Sequence, residues 1–234
     1  MSAGLFITGT DTGVGKTVVA RLIVRSLVCA GVRVAVMKPV AAGAVATAQG
    51  LRNEDAVGLM DDCNVVMPYA NVNPYCFSAA VSPHLAAREA GVTIELPVIQ
   101  HCFRTTQAAA DMVIVEGAGG WLAPLNDSQF IADLAVSLEL PVVLVVGLRL
   151  GCLNHALLTA AAIQARGLPL AGWIGNHIDP DFARMPENLA TLERHLGVPP
   201  LAVVAHAPDA LEQERLPAAA VAALIQSARR KQLT

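Results

Sequence analysis

The sequence predicts a doubly wound α/β fold, a mostly parallel sheet with helices on both faces. Three observations carry this. Short, continuously apolar runs rich in valine and isoleucine recur along the chain, as expected of parallel strands covered on both sides. Segments of helical length separate them, and alternation of this kind winds a parallel sheet. With 54% hydrophobic and 15% charged residues, the 234-residue chain has enough apolar material for one large core, so residues 1–234 are expected to form one domain.

The elements follow in order. LFITG (5–9) reads as the first strand and leads into a helical stretch, KTVVARLIVRSLVCAG (16–31). RVAVMKPV (33–40), DMVIVEGA (111–118), PVVLVVG (141–147), LAGWIGNHI (170–178) and LAVVAH (201–206) read as further strands. The segments around 128–138, 153–166 and 186–196 have the length and pattern of crossover helices. Between Val40 and Asp111 about seventy residues lack a convincing strand, which is long for a crossover. Short helices are expected over 53–62 and 83–90 and a longer one over 96–110, with turn-rich VNPYCFSAAVSPH between them. Its tyrosines, prolines and apolar residues favour a packed, functional excursion.

Charge and cysteine usage exclude several function classes. A formal net charge of −3 with no basic stripe argues against nucleic-acid binding. The five cysteines, at 29, 63, 76, 102 and 152, form no C-x-x-C pair and read as reduced thiols. Apolar runs such as Pro141 to Leu148 are too short to span a bilayer, and MSAGLFITG shows no charged segment ahead of an apolar one. A soluble cytoplasmic protein without membrane attachment is expected.

In such sheets ligands sit outside the carboxyl ends of the strands. GTDTGVGKT (9–17) lies there, after a strand and opening a helix. It nearly spells the phosphate loop G-x-x-x-x-G-K-[ST], but Thr10 stands where the first glycine belongs and Gly9 comes one residue early. The backbone amides of Gly13, Val14, Gly15, Lys16 and Thr17, with Val18 behind them, are placed to meet nucleotide phosphates, reinforced by the helix N-terminal charge. Lys16 would bridge phosphate oxygens and the Thr17 hydroxyl would ligate Mg²⁺. A metal–nucleotide site also calls for a carboxylate at the end of another buried strand. DMVIVEGAGG supplies Glu116, followed by Gly117, Ala118 and Gly119, small residues that let a ligand approach the backbone. Asp55 in LRNEDA is weaker alone, since such acids commonly cap helices.

Taken together, GTDTGVGKT, KPVAAG, GLRNEDA, VNPY, SPH, VEGAGGW and LGCLNHALLT resemble the dethiobiotin synthetase family, in order from residue 5 to about 180. The displaced glycine is a mark of that family, so the resemblance implies a P-loop NTPase fold with a variant loop. It also implies the reaction. CO₂ adds to one amine of 7,8-diaminononanoate, ATP phosphorylates the carbamate, and the second amine closes a cyclic urea. By the same resemblance Lys16, Thr17, Asp55 and Glu116 match the phosphate and Mg²⁺ residues. Lys38, in KPV, matches the active-site lysine. Alone it would read as a solvated strand-end residue. Thr12 matches a loop residue facing substrate, and Ala42 stands where some members carry a serine near the diamine. The amides of Cys152, Leu153 and Asn154, opening a helix, would receive the substrate carboxylate. In the family this segment crosses a subunit interface, which implies a homodimer with composite sites.

For the base, Asn176 matches the family's adenine-reading asparagine. NHID (176–179) also resembles the guanine signature N-K-x-D, with His177 in place of lysine. ATP is expected, and His206, Ala207 and Pro208 would cover the other side of the base. Two related types fit less well. Partitioning and division-site ATPases carry a signature lysine where this chain has Asp11. Cobyrinate-type synthetases need a glutaminase domain for which 234 residues leave no room. A nucleotide-binding module without chemistry is disfavoured by Lys38 and Glu116.

Overall fold

The first strand, β1 (Ala3–Gly9), shows how the apolar runs divide the core. Every residue of it is buried, with Leu5 and Ile7 in one packed layer and Phe6 in the other. This is the period-two alternation of a strand covered on both faces. The computed structural model describes residues 3–206 and 215–230.

From β1 the chain enters α1 (Lys16–Cys29) and β2 (Val34–Met37). The excursion then holds β3 (Val40–Ala41), β4 (Val45–Thr47), β5 (Gly50–Arg52), α2 (Glu54–Asp62), α3 (Tyr69–Val72), β6 (Tyr75–Cys76), α4 (Pro83–Glu89) and α5 (Leu96–Ala109). Regular alternation resumes with β7 (Met112–Glu116), α6 (Ile131–Leu138), β8 (Val142–Leu148) and α7 (Cys152–Ala165). The last described elements are β9 (Leu170–His177), α8 (Met185–Leu196), β10 (Ala202–Val204) and α9 (Ala218–Arg230).

The main sheet has the order β10-β9-β8-β1-β7-β2, and every pairing in it is parallel. α1, α2 and α9 supply the layer on one face, through residues such as Ile23, Leu59 and Leu224. α5, α6, α7 and α8 cover the other, through Ile99, Leu134, Ile163 and Leu192. Because all six strands run the same way, the residues after β1, β2 and β7 emerge side by side at one edge.

Two expectations are corrected. The strand expected over 33–40 ends at Met37: Pro39 has no amide to offer a ladder, and Val40 and Ala41 pair instead with Tyr75 and Cys76 of β6. The excursion expected to lack strands contains four short ones, this parallel pair and an exposed β4–β5 hairpin. Strands of two or three residues are too brief for an alternation pattern to show. Among the described residues, no helix is long and apolar enough to cross a membrane.

Candidate nucleotide and catalytic site

The displaced glycine has a local cause. Thr10 donates its amide to the Val145 carbonyl at 3.0 Å, so the strand runs one residue beyond Gly9 before the loop begins. Gly13 (φ 74°) and Gly15 (φ 80°) supply the left-handed turns, whereas Thr10 is not among the positive-φ residues. Gly9 is needed for space instead: a Cβ there would lie 2.6 Å from Val14 Cγ2.

The loop is fastened on two sides. Asn176 Nδ2, at the end of β9, donates to the Val14 carbonyl at 2.9 Å. Arg149, after β8, pairs with Asp11 at 2.7 Å, and the same carboxylate accepts the Thr12 amide at 2.7 Å. Sequence reasoning missed this pair, although opposite charges following adjacent strands were a usable signal. Lys16 folds back and donates from Nζ to the Asp11 carbonyl at 3.0 Å. Burial, and then the charge of Lys38, push its pKa down to about 8, against the opposing pull of Glu116, Asp55 and Asp11. An anionic triphosphate at the loop would favour the charged form again.

Glu116 ends β7, next to β1, and is 0% exposed. Its Oε1 accepts from Thr17 Oγ1 at 2.8 Å and from Lys38 Nζ at 2.5 Å. Its Oε2 has no hydrogen-bond partner among the described residues. Lys38, just past β2 and 5% exposed, also meets Asp55 at 3.1 Å. Burial would lower the lysine's pKa, but the two carboxylates outweigh it and hold the ammonium above its ordinary value. Burial likewise opposes ionisation of Asp55, and Lys38 overrides it, so that carboxyl sits below its usual range. Asp55 is positioned by the first turn of α2, which Asn53 caps through its side chain, bonded to the Ala56 amide at 3.3 Å.

These groups line a cleft of about 700 Å³. Of the sequence-predicted residues it brings together Thr12, Gly13, Gly15, Lys16, Thr17, Val18, Lys38, Ala42, Asp55, Glu116, Ala118 and Gly119. The excursion adds Asn53, Ser82 and Pro83, which sequence reasoning did not single out as site residues. Val14 is buried behind the loop, and Gly117 is a packing glycine, where a Cβ would lie 3.1 Å from Phe6 and Ile131. Asn176, His177 and His206 lie outside this lining. The two histidine rings meet edge to face with centroids 6.0 Å apart. Cys152, Leu153 and Asn154 open α7, also outside the lining. Ala207 and Pro208 fall outside the described residues.

The family profile described as an AAA domain matches residues 3–214. The ATP-dependent dethiobiotin synthetase of Pseudomonas paraeruginosa is 51% identical over 206 residues, covering 88% of this chain and 90% of that one. The Ralstonia nicotianae protein of the same name is 52% identical over 203 residues, covering 87% and 89%. The chain belongs to the dethiobiotin synthetase family.

Solved structures add the fold alone. A ParA family ATPase from Chlorobium tepidum superposes with a TM-score of 0.58 at 14% identity, covering 97% of this chain and 91% of that one. The MinD cell division protein of Aquifex aeolicus gives 0.57 at 17% identity, covering 99% and 97%. A dethiobiotin synthetase family member thus shares its sheet with these ATPases, while Asp11 is bound to Arg149 at the loop position where the sequence comparison placed their signature lysine.

Proposed function

We propose that this chain is an ATP-dependent dethiobiotin synthetase that takes 7,8-diaminononanoate, CO₂ or bicarbonate and ATP and closes the cyclic urea. The observation that carries the reading is the placement of Lys38. Its ammonium sits 2.5 Å from Glu116 and 3.1 Å from Asp55, in the same cleft as the phosphate loop. Two lysines that follow different strands therefore face one space, one on the nucleotide side and one at its wall.

The reaction builds negative charge on oxygen as carbamate attacks the terminal phosphate. The chain's task is positioning and neutralisation. Loop amides from Gly13 to Thr17 and the Lys16 ammonium hold the triphosphate. Lys38 holds the carbamate and the moving phosphoryl group, a contact made in the transition state and so able to raise turnover. Thr12 and the backbone near Ala42 border the diamine. Asn176 faces two duties, reading adenine and tying the loop through Val14.

Mg²⁺ fits this site. Thr17, Asp55 and Glu116 offer hard oxygen donors, and the unpartnered Oε2 of Glu116 is a buried acceptor suited to a cation. Bound there with the nucleotide, the metal would neutralise charge on the phosphate oxygens. The same reading takes the protein as a cytoplasmic homodimer of single-domain protomers, in which the amides of Cys152 to Asn154, outside this cleft's lining, serve the partner's substrate carboxylate. The test is direct: incubate protein, diaminononanoate, bicarbonate, Mg²⁺ and ATP, and look for the cyclic urea by mass spectrometry. ATP turnover without dependence on the diamine would overturn the reading.

A further inference from the structure

A polar chain in the excursion, half-buried at Tyr69 and buried at Asn73, joins the two halves of the catalytic wall. The Tyr69 hydroxyl accepts the backbone amide of Asn53 at 2.8 Å and donates to Asn73 Oδ1 at 2.9 Å, with Cys76 Sγ 3.6 Å away. Asn73 Nδ2 in turn donates to the Lys38 carbonyl at 2.6 Å and to that of Tyr75 at 3.1 Å. The Lys38 amide donates to the Val72 carbonyl at 2.9 Å. The lysine's own backbone groups are thus held by residues 72 and 73, beyond the last residue of β2. On the other side, Asn53 caps α2, and Asp55 two residues later meets the Lys38 ammonium.

We propose that Tyr69, acting through Asn73, is the positioning residue that sets the distance between Lys38 and Asp55. One hydroxyl ties the main chain of the lysine to the cap of the helix carrying the carboxylate. The inference rests on the reading of Lys38 given above. The hairpin between Lys38 and Asn53 is too exposed to hold that spacing, with Val45, Ala46 and Thr47 all open to solvent. The start of α2 is also tied back by Asn53 Nδ2 to the Ala42 carbonyl at 3.3 Å, by packing on α1, and by the bonds of Asp55 itself to Lys38 and Thr17. The Arg52 guanidinium lies 4.0 Å above the Tyr69 ring and holds it flat against the network. Burial, helped by Cys76 and opposed by the Asn53 amide and Arg52, pushes the phenol to about 12, so it keeps its proton and goes on donating to Asn73 at any working pH.

Reacting groups moved by about 1 Å can lose ~10²-fold in rate. Tyr69→Phe keeps the ring and the Arg52 contact and removes only the hydroxyl. The expected result is a kcat lower by about ten- to a hundredfold, with metal-free ATP affinity unchanged by calorimetry. The Mg²⁺ concentration needed for tight ATP binding should rise as Asp55 moves. Asn73→Asp keeps the bond from Tyr69 but cannot donate to the Lys38 carbonyl, so it should match Tyr69→Phe. The double variant should be no worse than either single one, as expected of residues acting in series. A lower melting temperature with unchanged kcat and unchanged Mg²⁺ dependence would reduce Tyr69 to a structural role and overturn the proposal. If the parent protein makes no cyclic urea, the proposed function fails by itself. The calorimetric Mg²⁺ dependence of Tyr69→Phe still decides on the brace, and no shift there overturns it.

Discussion

The main sheet and the excursion are held together by different forces. In β1 and β8 every position is buried, and nearly all of them are apolar. Their stability is a sum of areas, about 25 cal/mol for each Å² removed from water, and no single contact dictates the geometry. The excursion also sends apolar residues such as Leu59 and Ile99 into both layers, but around Lys38 its short segments meet through Tyr69, Asn73 and Asn53. Directional bonds set positions there. The catalytic wall lies where the two regimes join, with Glu116 on the sheet and Asp55 on the excursion sharing Lys38. A rigid apolar platform carries the phosphate loop, and a polar bracket carries the groups that must be set to a fraction of an ångström.

The largest expected effect falls at the junction. Lys38→Ala leaves Glu116 buried without its cation, which should cost about 3–5 kcal/mol of unfolding free energy. Product formation should fall by about 10²–10³-fold, the size seen when one charge-stabilising donor is lost. ATP affinity by calorimetry should stay near that of the parent. If ATP binding and product fall in parallel, Lys38 belongs with the phosphate loop on the sheet side. Trp173→Ala probes the sheet alone. This fully buried indole should cost about 3–5 kcal/mol in a denaturant melt, with turnover per folded molecule unchanged. A large loss of kcat there would break the division between platform and bracket.

Asn176→Ala sharpens the comparison, because it is a polar fastener on the sheet side. Leaving its buried partners unpaired should weaken nucleotide binding by about 1–3 kcal/mol. A greater loss for ATP than for GTP in competition binding would assign the amide to the base. Equal losses would assign the effect to the untied Val14 carbonyl. The smallest effect is expected from Arg88→Ala. Its pairing with Asp127 is exposed on both sides, and the melt should move by less than about 0.5 kcal/mol.

The sheet was legible because four of its six strands, β1, β7, β8 and β9, run five to eight residues and are mostly apolar, which leaves few other readings. Lys16, Thr17 and Glu116 were legible because their place after a strand gives each a chemical task. Lys38 needed its neighbours: a lone lysine after a strand reads as solvated, and its ion pairs come from residues 17 and 78 positions away. The short strands of the excursion were missed because two or three residues show no alternation, even where, as in the β4–β5 hairpin, the pairing is local. The Arg149–Asp11 pair and the links from Tyr69 and Asn73 to Asn53 and Lys38 were missed because they join residues from 16 to 138 positions apart, which no local periodicity records. The helix α9 was also unread, although its apolar residues pack under β1 and β9.

The strand order has a consequence for how the protein is made. β1 lies between β7 and β8, so the strand that emerges first has both its neighbours more than a hundred residues downstream. At ~5–20 residues per second, roughly five to twenty seconds pass between the ribosome releasing Gly9 and supplying Glu116, the end of its first neighbour. During that interval an apolar strand and the glycine-rich loop behind it wait without a ladder. The phosphate loop, first to be synthesised, is among the last features to be shaped. A nascent chain paused before β7 leaves both edges of β1 unpaired, and that window is where a holding chaperone has something to protect.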